Sequence, residues 1–353
     1  MKRRTFLQHT ALSSAVTLMP NLPSLLYYHP LKKLVIIELA GGNDGWNTVV
    51  PYRNNHYYQH RPTIAIAPDK VIPLNETLGF NPALALLKPI FEAGEMCMLN
   101  NVGYPNFSDS HFKASAVWQT ASPNPEQYRT GWLGRYLDHM TKQKATCGIT
   151  LDHYVNKALK GDTLSSFTAH QMIDATKGMA QTVAYTPTGG ECQEEQDFIM
   201  ELKQVATWIE EKRNASVYYL TLGWFDTHIH QRATQDNLLK IYAKGIHYFV
   251  NLLKQSNLFD DVLIFTFSEF GRTLAENEQG GTDHGTANNV FLFNSHLKKS
   301  GFYNNIPDSN DLQKENLAYE IDFRSIYATI LENWWNVDAH LILNANFDRL
   351  NFI

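Results

Sequence analysis

Lys33-Leu34-Val35-Ile36-Ile37-Glu38-Leu39-Ala40-Gly41-Gly42-Asn43-Asp44-Gly45 is the stretch whose reading decides the fold. Its first seven residues form a near-continuous apolar run rich in β-branched side chains, as expected of a strand buried on both faces. The run ends in a glycine-rich turn of a kind that ordinary residues make with difficulty. Strand-like runs recur at Met96 to Val102, Ser216 to Leu222, Asp261 to Phe267 and Asn289 to Phe293. Between them helical spacing appears over Asn81 to Ala93, Ser110 to Thr120, Glu194 to Arg213, Ala233 to Gln255 and Asp322 to Trp335. Strands alternating with helices predict an α/β fold, a doubly wound, mostly parallel sheet with helices on both faces. Residues 31–353 read as one such domain, with an irregular insertion at about 141–197 where Gly, Thr, Pro and Gln blur the pattern.

The remaining composition narrows the class. The chain has 353 residues, 44% hydrophobic and only 18% charged, which fits a well-packed globule. A net charge of −5 argues against nucleic acid, whose affinity rests on clustered Lys and Arg. Residues 1–30 open Met1-Lys2-Arg3-Arg4-Thr5-Phe6-Leu7 before a mildly apolar stretch, the pattern of a twin-arginine export signal. That signal predicts the twin-arginine translocase as a partner and the periplasm or cell envelope of a bacterium as the destination. No segment after it is long and apolar enough to span a bilayer. Of three cysteines, Cys97 reads as a small core residue, and Cys147 and Cys192 are candidates for one disulfide.

Four motifs carrying acidic or imidazole groups follow strands or glycine turns, where an open α/β sheet gathers its ligand-binding groups. Asp44 follows the first strand; it is either a turn aspartate or a metal ligand, and its glycine neighbours could cradle an oxyanion. Asp226, His228 and His230 stand close enough to ligate one ion, whether the segment is extended or helical. The alternative is a polar turn with Asp226 or Thr227 capping the next helix. Glu269 offers a hard oxygen ligand, and Arg272 either pairs with it or clamps an anionic substrate. Asp283 and His284 form a further acid–imidazole pair. Ser108 and Ser110 sit at a helix start, each a nucleophile if a metal or base removes its proton, or simply an N-cap. His111 adjoins them as a further catalytic candidate. Carboxylates and imidazoles of this kind call for a divalent metal, Zn first, with Ca, Mg or Mn if oxygen ligands dominate. A mononuclear iron site built from Asp226, His228 and His284 is a third option.

The runs GGNDGWNTVVPY (41–52), VGYPNFSDSHF (102–112), FDTHIHQ (225–231), FSEFGR (267–272) and GGTDHGTA (280–287) closely resemble the bacterial domain-of-unknown-function family 1501. That family in turn resembles the alkaline phosphatase and sulfatase superfamily. The resemblance implies an alkaline-phosphatase-like fold with two metals at the carboxyl ends of the strands. It implies Asp44 as a ligand of one metal, a nucleophile at Ser110 or Ser108, Asp226 with His230 or His228 as ligands, and His284 as the late histidine. Where the superfamily usually has an Asp-His pair, this chain has Ser268-Glu269. The expected activity is hydrolysis of a phosphate or sulfate ester on a small molecule or glycan. One metal (Asp226, His228 or His230, His284) would polarise the ester and the other (Asp44, Glu269) would activate Ser110, with Arg272 holding the non-bridging oxygens. The competing expectation is a non-catalytic metal- or glycan-binding protein of the cell envelope.

Overall fold

A computed structural model describes residues 32–142, 146–163, 165–169, 171, 191–305 and 318–353. The twin-arginine segment lies outside them. Lys33–Leu39 is β1, buried at every position. Its neighbours in the central sheet are β2 (Met96–Gly103), β3 (Cys147–Thr150), β4 (Ser166–Thr168), β5 (Ala215–Leu222) and β6 (Val262–Phe267). A hairpin follows, β7 (Gly271–Glu276) and β8 (Thr282–Gly285), and then β9 (Asn288–Phe293), β10 (Gly301–Phe302) and β11 (Ile321–Asp322). The nine-stranded sheet runs β10-β2-β9-β6-β1-β5-β3-β4, with β11 also paired to β2. Leu34 to Leu39 pair in parallel with Val217 to Leu222, and Lys33 to Glu38 with Val262 to Phe267, so β1 is central.

Because side chains alternate across a strand, β1 feeds both faces. Val35, Ile37 and Leu39 enter the core under α3 (Glu191–Glu210) and α4 (Gln231–Gln255). Leu34 and Ile36 enter the core under α1 (His111–Thr120), α2 (Trp132–Thr141) and α5 (Phe323–Thr329). The expected mostly parallel α/β sheet covered by helices on both faces is therefore present. The one reversal within the central sheet among the described residues has a simple cause. The chain leaves β6 at the carboxyl edge, makes the β7–β8 hairpin there and re-enters at that edge, so β9 runs antiparallel to both β6 and β2.

Within the span expected to be an irregular insertion, β3 and β4 extend the sheet beyond β5 in parallel register. Two expectations need correction. Asn81 to Ala93 is a 3-10 turn, Pro82–Leu87, followed by a short α-helix, Lys88–Glu92, because Pro89 removes an N–H near the join. Cys147 is a free, buried thiol bonded to the Asn214 carbonyl, so it is not tied to Cys192; Cys97 is likewise buried and free, the core residue expected. No helix among the described residues is long and apolar enough to cross a membrane.

Candidate metal centre

Four chain segments meet at the carboxyl edge of the sheet. The loop after β1 and the segment after β5 are laced together by Ala40 N–H to the Leu222 carbonyl and Phe225 N–H to the Ala40 carbonyl. Gly41 is required there: its φ is +117°, and a Cβ would lie 2.4 Å from the Asp226 nitrogen. This contact delivers Asp226 and, two residues on, His228. Helix α1 begins with His111, and the β7–β8 hairpin presents His284. Asn277 binds the His228 carbonyl, and Gly281 packs so closely on that carbonyl that a Cβ would fall 2.1 Å from it. The hairpin is thus pinned to the Asp226 segment.

The ligating atoms of His111, Asp226 and His284 all lie within 4.8 Å of one another. His228 Nε2 joins them, 2.9 Å from His284 Nε2 and 3.0 Å from Asp226 Oδ1. Each imidazole is oriented from behind through Nδ1. His111 Nδ1 donates to Glu269 Oε1 at 2.7 Å, His284 Nδ1 to the Asp109 carbonyl at 2.6 Å, and His228 Nδ1 faces Asp283 Oδ1 at 3.5 Å. Acceptor-only partners fix the proton on Nδ1 and leave the Nε2 lone pair pointing inward. Three such lone pairs and a carboxylate therefore converge. His111 Nε2 is buried without a hydrogen bond, and the Nε2 atoms of His228 and His284 face each other, an arrangement that repels unless a cation lies between them. The donor set of three imidazoles and one carboxylate fits Zn and other imidazole-loving ions better than Ca or Mg. Phe270 lies against the rings of His111 and His284, with centroids 4.7 and 4.5 Å away, and fixes their tilt.

The electrostatics agree with this arrangement. Burial pushes the Asp226 carboxyl up, but hydrogen bonds from Arg272 and His284 and the Arg272 charge outweigh it and hold the group at about 2. Asp226 is consequently anionic throughout the ordinary pH range. The hydrogen bond to Glu269 raises His111 above the usual histidine value, against the opposing effect of burial. Burial lowers His284, so its imidazole is the more readily neutral of the two.

Other expected site residues are placed differently. Asp44 is fully buried and takes two bonds from Arg61 together with those from Gln231 and the Trp46 N–H, so all its acceptor capacity faces protein donors and it is not a metal ligand. Glu269 accepts from Gly41 N–H, Ser268 and His111, which makes it the carboxylate behind His111; no second group of metal ligands lies among the described residues. Of the glycine loop, the Gly41 N–H donates to the Glu269 carboxylate. Arg272 is buried, its donors spent on the carbonyls of Gly41, Gly42, Phe225 and Thr282 and on Asp226, so it does not hold substrate oxygens. His230 is an exposed residue at the start of α4 with φ +46°, outside the cluster. Asp283 is exposed and orients His228. Ser110 begins α1 without a side-chain capping bond, and Ser108 Oγ accepts the Ser110 N–H at 3.4 Å. Sequence reasoning missed the Asp109 carbonyl and the Phe270 platform, since neither carries a ligand-type side chain.

Residues 205–346 match the family model described as "Protein of unknown function (DUF1501)". No curated protein matches the chain by sequence. Among solved structures it is similar to a sulfatase from Pseudoalteromonas sp., at 13% identity and a TM-score of 0.46, over 96% of this chain and 74% of that one. It is also similar to the lipoteichoic acid synthase from Listeria monocytogenes, at 11% identity and 0.41, over 78% and 68%. A protein in the alkaline phosphatase superfamily from Vibrio parahaemolyticus aligns at 12% identity and 0.37, over 77% and 64%. The matched segment contains β5, β6 and the β7–β8 hairpin, which deliver Asp226, His228 and His284, and over these residues the chain is similar to the DUF1501 family.

Proposed function

We propose that this chain is an exported, metal-dependent hydrolase of a phosphate or sulfate ester, with one metal centre instead of two. The observation that carries the reading is the convergence of the His111, His228 and His284 Nε2 atoms on Asp226, each ring anchored through Nδ1. When bound, a Zn-like ion there supplies Lewis acidity toward an ester oxygen. The chain supplies the rest. Ser110 Oγ, one residue before His111 and free of a capping bond, is the hydroxyl offered to the ester; Ser108 holds the Ser110 backbone through its N–H. With no side chain capping α1, the N–H groups of its first turn are available to a ligand oxygen, which they attract as the positive end of the helix. Arg272 keeps Asp226 anionic and aimed at the centre. Delivery by the twin-arginine pathway to the bacterial periplasm or envelope is part of the same proposal and rests on Arg3-Arg4 and the residues after them.

The rival reading, metal or glycan binding without chemistry, is favoured by the loss of Asp44 and Arg272 to internal pairing. One experiment separates them. Metal per chain is measured by elemental analysis for wild type, Asp226→Ala and Ser110→Ala, beside turnover of aryl phosphate and aryl sulfate. The hydrolase reading expects one equivalent in wild type and Ser110→Ala, loss in Asp226→Ala, and turnover only in wild type. Bound metal with no turnover on either ester favours the rival, and no bound metal overturns the hydrolase reading and leaves glycan binding in front.

A further inference from the structure

Of the seven tryptophans, Trp46, Trp118, Trp132, Trp208 and Trp334 are buried and Trp335 stacks on Tyr136, whereas Trp224 is 74% exposed. It stands two residues before Asp226. Phe225 between them is buried, so Trp224 and Asp226 emerge on the solvent side of the same segment. The Trp224 backbone has φ +71°, a left-handed conformation that bulky residues rarely adopt and that is strained for any side chain with a Cβ. An exposed indole repays that strain with no packing, and uncompensated strain of this kind collects at ligand clamps. Two further exposed apolar side chains adjoin the centre in sequence: Phe112, after His111, is 87% exposed, and Ile229, after His228, is 56% exposed.

We propose that Trp224 is the stacking platform for a pyranose ring, so that the ester taken by the metal centre is carried on a carbohydrate. An indole presents a broad flat apolar face, and a pyranose carries such a face on its axial C–H groups while its hydroxyls need polar partners. Exposed Asp109 and Asp283, beside the rings of His284 and His228, supply them. An acyl chain would need a concave apolar channel that takes it out of water, whereas Trp224, Phe112 and Ile229 are all exposed. The inference rests on the hydrolase reading for where the ester is cut, but not for where the sugar sits.

The test uses the full zinc-loaded chain as wild type, Trp224→Phe and Trp224→Gly. Each is titrated calorimetrically with sulfated and unsulfated hexasaccharides of galactose, glucose and N-acetylglucosamine, and counter-probed with phosphatidylglycerol vesicles. At least one hexasaccharide is expected to saturate wild type, with Trp224→Phe within about threefold and Trp224→Gly at least tenfold weaker, in line with the ~1–3 kcal/mol of ring stacking on an aromatic. Trp224→Gly should keep its metal, and its Tm should be unchanged or up to about 2 °C higher, since glycine accepts φ +71° without strain. No saturating sugar, or equal binding by Trp224→Gly, overturns the inference, as does vesicle binding that depends on Trp224. Trp224-dependent sugar binding without ester turnover would leave this inference standing and sink the hydrolase; turnover indifferent to Trp224 would do the reverse.

Discussion

His228 Nε2 and His284 Nε2 lie 2.9 Å apart with both Nδ1 atoms facing acceptors, so one proton or one cation must sit between them. A cation satisfies all four inward groups at once, whereas a proton satisfies two. Removing either imidazole should therefore abolish tight metal binding, and His228→Ala is expected to lose the metal through dialysis that wild type survives, as read by elemental analysis. Glu269→Gln is subtler, because it keeps the shape of the side chain behind His111 and loses only its charge. Partners of this kind typically cost about 10–100-fold in metal affinity when mutated, and competition against a chromophoric chelator would measure it. An unchanged affinity would mean that Glu269 serves only to seat the Gly41 loop. The sequence offers Asp226, His228 and His284 among its candidate ligands, beside His230 and Asp283, because types and spacing alone make them conspicuous. It reads Asp44 and Glu269 alike, as ligands of a second metal. Both are acids after a strand, and which one meets an arginine and which a histidine depends on Arg61 and His111, each far away in the chain.

At the scale of elements, Arg272 fastens the β7–β8 hairpin to the β1 and β5 loops through four carbonyls and Asp226. Arg272→Ala leaves these acceptors unpaired in a buried place, and a loss of roughly 3–5 kcal/mol in urea denaturation is expected, together with loss of the metal. Lysine, a single point donor, should rescue little of it. Helix α1 docks by two acidic contacts: His111 on Glu269, and Ser115, one turn later, on Glu38 of β1. Burial first, then the nearby Glu269 charge, raises the Glu38 carboxyl to about 8 despite the Tyr219 hydrogen bond. A group raised on folding holds its proton more tightly in the native state. Its contribution is complete below the unfolded carboxylate value and is lost as pH rises towards 8. Glu38→Gln should flatten stability between pH 5 and 8 and leave the protein more stable than wild type at pH 8 by on the order of 3 kcal/mol, as seen in denaturation at both pH values. The hairpin itself was not legible, because Gly271-Arg272-Thr273-Leu274-Ala275-Glu276 lacks strict alternation and its pairing is interrupted by a register shift. β3 and β4 were hidden for a related reason: at four and three residues they are too short to show a period.

For the whole molecule, the long central strands were readable because burial on both faces writes an unbroken apolar run, as in β1 and β6. The site was readable only as a list, since its assembly joins residues 111, 226, 228 and 284 from three segments that no local pattern links. That same dispersion would make a bound metal a clamp on the fold: an ion held by α1, the segment after β5 and the hairpin would tie three otherwise separate pieces together. A ligand that binds only the native state stabilises it by mass action, about 2.7 kcal/mol at a free concentration one hundred times Kd. For a chain of this size that is about 4 °C in Tm. Wild type should show this gain with added zinc in calorimetry and lose it to a chelator, and Asp226→Ala should show none. The gain should also fall as the medium is acidified, because the ion and the proton compete for the same Nε2 atoms. His111 sets where the fall begins: its hydrogen bond to Glu269 raises it, so the zinc-dependent part of Tm should start to shrink above the usual histidine value, while Asp226, held at about 2, stays available throughout. Glu269→Gln removes the raising partner and should move that onset to lower pH; an onset that does not move would separate His111 from the ligand set.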